Sequence, residues 1–275
     1  MDELIIEAGR SEAHYWRDLW RYRDLFYFLA WRDLLVRYKQ TVFGVLWAVL
    51  RPLLTMLIFV VIFSRVAGLP SEGVPYAILV LGGMLPWQFF ATALSESSSS
   101  LVTNANLITK VYFPRIILPA SSVIVALVDF GITLGLLALV MAWYGYLPPP
   151  QILLLPVFVV FALVAAMGPG LIATALNVKY RDFRFVIPFI VQFGLYVSPV
   201  GFRSSVIEEK LGSVARLVYA MNPMVGIIDG FRWCIGAEKS LHVPALMISL
   251  AVSVLFLWLG IRIFRGTEKS FADVV

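Results

Sequence analysis

Side chains able to do covalent or metal chemistry are few in this chain and far apart. Its two histidines, His14 and His242, are isolated from one another, and its one cysteine, Cys234, sits in a mainly apolar stretch. A metal centre gathers three or four such ligands, and a nucleophile needs a base beside it. Neither constellation can be read here, so no metal site and no catalytic residue is expected. Cys234 has no disulfide partner and reads as a small apolar side chain. No lysine follows a glycine anywhere, so the G-x-x-x-x-G-K-[ST] phosphate loop is absent. What stands out instead is charge in greasy surroundings. Arg51 precedes Pro52, and Asp129 interrupts an apolar run. The stretch NANLITKVYFPRIILP, Asn104 to Pro119, sets Lys110, Tyr112, Phe113 and Arg115 among two prolines, just after a serine run at 95–100 that contains Glu96.

The elements that must position these residues are membrane spans. Of 275 residues, 60% are hydrophobic and 14% charged, with a mean hydropathy of +0.87, against about 45–50% and about 25% in a soluble domain. The fold expected is all-α and integral to the membrane, because a helix satisfies its own backbone in lipid. Six apolar runs are long enough to cross about 30 Å of hydrocarbon: 42–66, 74–94, 116–143, 152–176, 183–200 and 243–264. Lysine and arginine favour one side, in the segment before the first run, the second and fourth connections, and the tail. By the positive-inside rule both termini are then cytoplasmic. The chain divides into a cytoplasmic segment at 1–41, a six-helix domain at 42–264 and a tail at 265–275. The first 41 residues lack a continuous apolar core, so no cleavable signal is expected.

Two pieces lie outside the spans. The segment YWRDLWRYRDLFYFLAWRDLLVRYKQ is basic and rich in tryptophan and tyrosine. It reads as an amphipathic helix in the cytoplasmic interface, touching membrane lipids, with a short helix packed on the protein as the other reading. The outer piece, 201–242, is too long for a turn. It reads as one or two short re-entrant helices, interrupted by Pro223, that cap a pathway. The net charge of +5 is modest, and no nucleic-acid partner is expected.

With nearly all the length used by spans, the classes left are transport, channel and scaffold. A gradient-driven carrier would use Asp129 as its proton site, although an acid hydrogen-bonded to a neighbouring helix is the plainer reading. Arg51, well inside the first run, either faces a polar cavity or snorkels beside a proline kink. A membrane subunit without an ATP site must receive work from a partner that has one. The segment from Asn104 to Arg115 has that character, with Lys110 and Arg115 to orient and Tyr112 and Phe113 as exposed anchors. The serine run would let the second span continue out of the membrane as a lever.

On the residues RDLLVRYKQTVFGVLWAVLRPL (32–53), LVTNANLITKVYFPRIILP (101–119), ALNVKYRDFRFVIPFIVQFGLYVSPVGF (175–202), YAMNPMVGIIDGFR (219–232) and the tail FRGTEKSFADVV, the chain resembles the membrane subunit of ABC transporters that export cell-surface polysaccharide, the O-antigen, capsule and teichoic-acid permeases. The resemblance implies six helices per subunit in the bacterial inner membrane and a homodimer with two copies of a separate ATPase. ATP and magnesium would then sit on that partner, with no cofactor on this chain. The implied substrate is a polymer on an undecaprenyl-diphosphate lipid; an ABC permease exporting a small molecule is the alternative.

Under this resemblance Asn104, Leu107, Lys110, Tyr112, Phe113 and Arg115 fall in the coupling loop (104–115), and Tyr219, Asn222, Pro223 and Phe231 in the outer gate. Phe43, Trp47, Phe193 and Tyr196 would offer sugar rings sliding faces, unless they belong to the ordinary interfacial belt, as Trp87 and Trp143 do. Arg32, Arg37, Lys39 and Arg51 are the cations for a diphosphate head group, with anionic-lipid binding as the other reading for the first three.

Overall fold

The computed structural model describes residues 12–39, 44–68, 73–268 and 271, and all regular structure among them is helical. Two short helices open the described chain, α1 (Glu12–Arg21) and α2 (Arg23–Lys39), joined through Tyr22. Then come α3 (Gly44–Phe59), which winds on as π-helical turns at Val60–Val66, and α4 (Tyr76–Thr103). The short α5 (Ala105–Lys110) precedes α6 (Ile117–Trp143), α7 (Leu155–Lys179) and α8 (Phe183–Val197). Three short helices, α9 (Ser205–Leu211), α10 (Ser213–Tyr219) and α11 (Pro223–Cys234), lead to α12 (Val243–Thr267).

Among the described residues, five segments are long and apolar enough to cross a membrane: Leu46–Val66, Tyr76–Thr103, Ile117–Trp143, Pro150–Lys179 and Val243–Thr267. The sixth expected crossing, at 183–200, is the 15-residue α8. Its helix stops at Val197, where Ser198 turns extended, so it spans only about 22 Å at 1.5 Å per residue.

Packing orders the bundle around α4, whose most apolar window is 83% buried, against 11% for Leu46–Val66. α6 and α7 flank α4, α12 lies along α7, and α11 fits among α4, α7 and α12. α7 and α12 cross at backbone distance. A methyl added to Gly168 would meet the Leu257 amide and the Phe256 carbonyl carbon at 2.5 Å, and one on Gly260 would meet the Gly168 oxygen at 2.4 Å. Close approach through small residues is how helices associate where lipid removes the hydrophobic drive. Gly168→Leu is therefore expected to cost about 1–3 kcal/mol or more by overpacking, read as a lower melting temperature in detergent. Gly131→Ala, where a methyl meets nothing within 4 Å, should leave melting unchanged.

The apolar core is in two parts. The larger runs through the bundle, and a smaller one at the expected cytoplasmic end gathers Leu29, Leu101, Ile108, Phe113, Ile116, Leu171, Phe264 and Phe271. The serine run is not the exposed polar stretch it resembles. Ser97, Ser98 and Ser100 are buried, their hydroxyls bonded back to the carbonyls of Pro119, Ser95 and Ser97. Thr174 Oγ1 and Asn177 Nδ2 of α7 donate to the carbonyls of Ser97 and Ser98 at 2.8 Å. The run thus continues α4 unbroken to Thr103 as a seam against α7.

Candidate functional site

The basic segment after α4 is fixed from three directions. Asn104 caps α4, its amide Nδ2 donating to the Ser100 carbonyl at 2.9 Å, and its Oδ1 accepts from Arg32 Nη2 of α2 at 2.8 Å. Ile108 and Phe113 are buried in the smaller core. The Arg115 amide donates to Glu268 Oε1 at 2.8 Å, and its guanidinium to the Glu268 carbonyl. Burial raises the Glu268 carboxyl pKa, with Arg115 pulling the other way. Burial and then Glu268 push the Tyr15 hydroxyl up.

Phe113, expected as an exposed anchor, is instead buried because the chain turns inward at Pro114. Val111 and Tyr112 remain on the surface, Tyr112 at 65% exposure, with Lys110 exposed and Leu107 half-buried beside them. Arg32, expected among the head-group cations, points to this segment, its guanidinium held by Asp33 and Asn104.

A cavity of about 1010 Å³ opens between α3, α4, α6 and α8 and is reached by the end of α2. Arg37, Tyr38, Trp47, Arg51, Gln88, Glu96 and Asp129 line it. Arg37 is shared by two carboxylates, Glu96 at 3.1 Å and Asp129 at 2.6 Å, and the Tyr38 hydroxyl donates to Asp129. Burial first, then that bond, raises the Tyr38 hydroxyl pKa. Asp129 thus has the bonded role, tying its helix to α2. Arg51 faces the cavity, with no carboxylate in ion-pair distance among the described residues; Lys39 is exposed outside the lining.

Of the four sliding-face aromatics, Trp47 lines the cavity, and Phe43 lies outside the described residues. Phe193 and Tyr196 sit on the outer face of α8, in an exposed stripe with Phe185 and Phe189. The Phe189 and Phe193 rings stack at 6.1 Å. Trp87, read as interfacial belt, is buried against Gly194, where an added methyl would meet its ring at 2.6 Å. Trp143 is 87% exposed, as a belt residue would be.

At the other end, the 201–242 piece forms three short helices, one more than the largest number expected. Pro223 does not interrupt it: it is the first residue of α11, where its missing N–H costs nothing. Asn222 caps that helix, accepting from the Met224 amide at 3.0 Å. Phe231 is buried edge-on against Phe130, a core residue rather than a gate surface, while Tyr219 is partly buried.

Sequence reading missed the charged cluster beneath these helices. Arg232 is fully buried and donates to the carbonyls of Leu79, Phe202 and Val200 at 3.0, 2.7 and 2.7 Å. Ser204 donates to Asp229, and Arg216 pairs with Glu208 at 2.6 Å. That bond holds the Glu208 carboxyl below its usual range. The available signal was Asp229 and Arg232 at i, i+3 in an apolar stretch, which puts both on one face.

A model of the ABC-2 type transporter family matches residues 24–235. The chain is 31% identical over 259 residues, 94% of its length and 98% of the relative's, to the O-antigen export system permease protein RfbA of Myxococcus xanthus. It is 26% identical over 253 residues, 92% of its length and 95% of the relative's, to the protein of that name from Klebsiella pneumoniae. Over 244 residues, 87% of its length and 92% of the relative's, it is 20% identical to the polysialic acid transport protein KpsM of Escherichia coli.

Proposed function

Because the chain belongs to the ABC-2 type transporter membrane family, we propose that it is the permease subunit of an ATP-driven exporter of a lipid-linked cell-surface polysaccharide. It works as a homodimer in the bacterial inner membrane, with two copies of a separate ATPase and an undecaprenyl-diphosphate carrier on the substrate. The observation that carries this reading is the build of the 104–115 segment. A helix that runs unbroken through the bundle ends in the short α5, bonded to both the first and the last parts of the described chain. Only the Lys110–Tyr112 tip and neighbouring polar groups face outward, so a push there moves α4 as a body.

α8 completes six crossings with both termini cytoplasmic, its short length made up by the chain that follows. A second copy covers α8's aromatic stripe and the outer face of α3, where Leu46, Trp47, Leu54, Leu57, Ile58 and Val61 are exposed. Such a seam gives sugar rings flat faces without tight hydrogen bonds. Arg51 is the cation best placed for the diphosphate, because Arg37 is already neutralised by two acids and a guanidinium fork suits phosphate oxygens. α9 to α11, with Tyr219 and Asn222, form the outer gate.

The test is co-purification. The tagged permease, co-expressed with its ATPase, should bring down an activity that hydrolyses ATP and rises when undecaprenyl-diphosphate-linked glycan is added in nanodiscs. A permease that retains no ATPase would overturn the reading. Arg51→Gln is expected to lower polymer on the cell surface roughly tenfold, the loss of one charge-assisted contact of about 1.5 kcal/mol, while the permease–ATPase complex still assembles. Unchanged surface polymer would remove Arg51 from the pathway.

A further inference from the structure

The cavity has two ends, and chain direction distinguishes them. α3, α6 and α8 start on the basic side of the bundle and α4 ends there. Arg37, Tyr38, Trp47 and Glu96 therefore mark the inner end, and Thr55, Met84 and Thr133 the outer. What lies across the inner end is the tip of α2, and it is held unlike the rest of that helix.

Leu29 and Ala30, in the middle of α2, are buried, Leu29 in the smaller core with Ile108 and Phe113. Beyond them Leu35 and Val36 face outward, and the last two turns are held largely by polar contacts. Arg37 reaches Glu96 of α4 at 3.1 Å and Asp129 of α6 at 2.6 Å, and Tyr38 donates to Asp129. One guanidinium thus ties the tip of α2 to two neighbouring helices of the cavity wall. Ion pairs of partly exposed groups break without opening an apolar core, which is what a moving part requires. Five residues earlier on α2, Arg32 is bonded to Asn104 at 2.8 Å, at the joint between α4 and α5. The tip of α2 and the 104–110 segment therefore belong to one mechanical piece.

We propose that the last two turns of α2 are the inner gate of the cavity, closed by Arg37 and Tyr38 on Asp129 and Glu96, and drawn open by displacement of the 104–110 segment acting through Arg32 and Asn104. The drive rests on reading that segment as the ATPase-receiving loop; the gate itself does not.

The experiment places a cysteine in the cavity beyond the gate. Thr55→Cys suits it, since Thr55 lines the cavity, its hydroxyl bonds the carbonyl one turn back on its own helix, and native Cys234 is buried. Inside-out membrane vesicles expose the inner side to a charged, membrane-impermeant maleimide. Thr55→Cys alone should label slowly. Adding Glu96→Gln with Asp129→Asn should speed labelling several-fold, and Tyr38→Phe, which leaves the Arg37 ion pairs in place, should speed it less. Variants are compared only where their melting temperatures match the parent's, and equal rates among them overturn the gate.

With the ATPase bound, ATP should speed labelling of Thr55→Cys, and Asn104→Ala, measured in complexes that retain the ATPase, should abolish that acceleration. Acceleration that survives Asn104→Ala overturns the linkage. If ATP has no effect on the parent complex, the receiving-loop reading fails, while the resting rates still decide the gate.

Discussion

Arg232→Met is expected to leave little folded protein in the membrane fraction, and what remains should melt far below the parent in detergent. The side chain is fully buried, and its Nε, Nη1 and Nη2 fan out to the carbonyls of Leu79, Phe202 and Val200. It joins the start of α4 to the irregular chain after α8 and to α11. Methionine fills much of the volume but donates nothing, so the Val200 and Phe202 carbonyls lose their donor, at about 1–3 kcal/mol for each group left unsatisfied. Asp229, one turn back, loses a compensating charge as well, and removing one partner of a buried charged set costs about 3–5 kcal/mol. Lysine is not expected to rescue, because a single ammonium cannot serve three acceptors spread in a plane. Gly83 belongs to the same site: a methyl there would meet Arg232 Nη2 at 2.5 Å and the Val200 oxygen at 2.8 Å. Parental melting in Arg232→Met would show that the clip contributes nothing.

The second large effect separates two neighbouring aromatics. Tyr112→Ala should leave folding unchanged, since the side chain is mostly exposed, and should abolish ATPase capture or ATP-driven export. Interface anchors of this type typically lose about 2–4 kcal/mol on truncation, enough to dissolve a complex of ordinary affinity. Phe113→Ala does the opposite. It empties a site among Leu101, Ile108, Ile116 and Phe264, at about 3–5 kcal/mol, and any loss of export should follow loss of protein. Paired measurements of melting temperature and co-purified ATPase decide the matter. An ATPase retained by Tyr112→Ala would remove that residue from the interface.

These contrasts mark where sequence was informative. The apolar runs of 116–143 and 243–264 became α6 and α12 almost unchanged, because twenty-odd uncharged residues have one favourable conformation in lipid. Charge and aromatic content drew attention to the segment after Asn104 for the same reason: polar groups there needed a use. Direction of burial was not legible. Phe113 and Tyr112 are adjacent and equally aromatic, and only the turn at Pro114 decides which one the smaller core takes. Trp87 looked like an interfacial residue until Gly194 offered its ring a seat. The serines at 95–100 read as a polar stretch, yet hydroxyls bonded to carbonyls of α4 and, from Ser97, of α6 let α7 lie close. Within the 201–242 piece Arg232 cannot be told in sequence from an exposed cation, because its acceptors come from distant residues. The end of the helix at Val197, three residues before the expected limit, also lay outside any reading of apolar length.

The thin packing of α3 bears on how the protein is made. Its span, Leu46–Val66, leaves the ribosome before the other four and has the least of its window buried, while α7 and α12, which pack most extensively on one another, arrive later. During synthesis α3 has to reside in the bilayer as a solitary helix, relying on lipid alone until α4 and α6 emerge. A polar replacement on its outward face, such as Leu57→Asn, would therefore be felt first at insertion, as a misplaced or degraded chain, before any assembled transporter existed to be impaired.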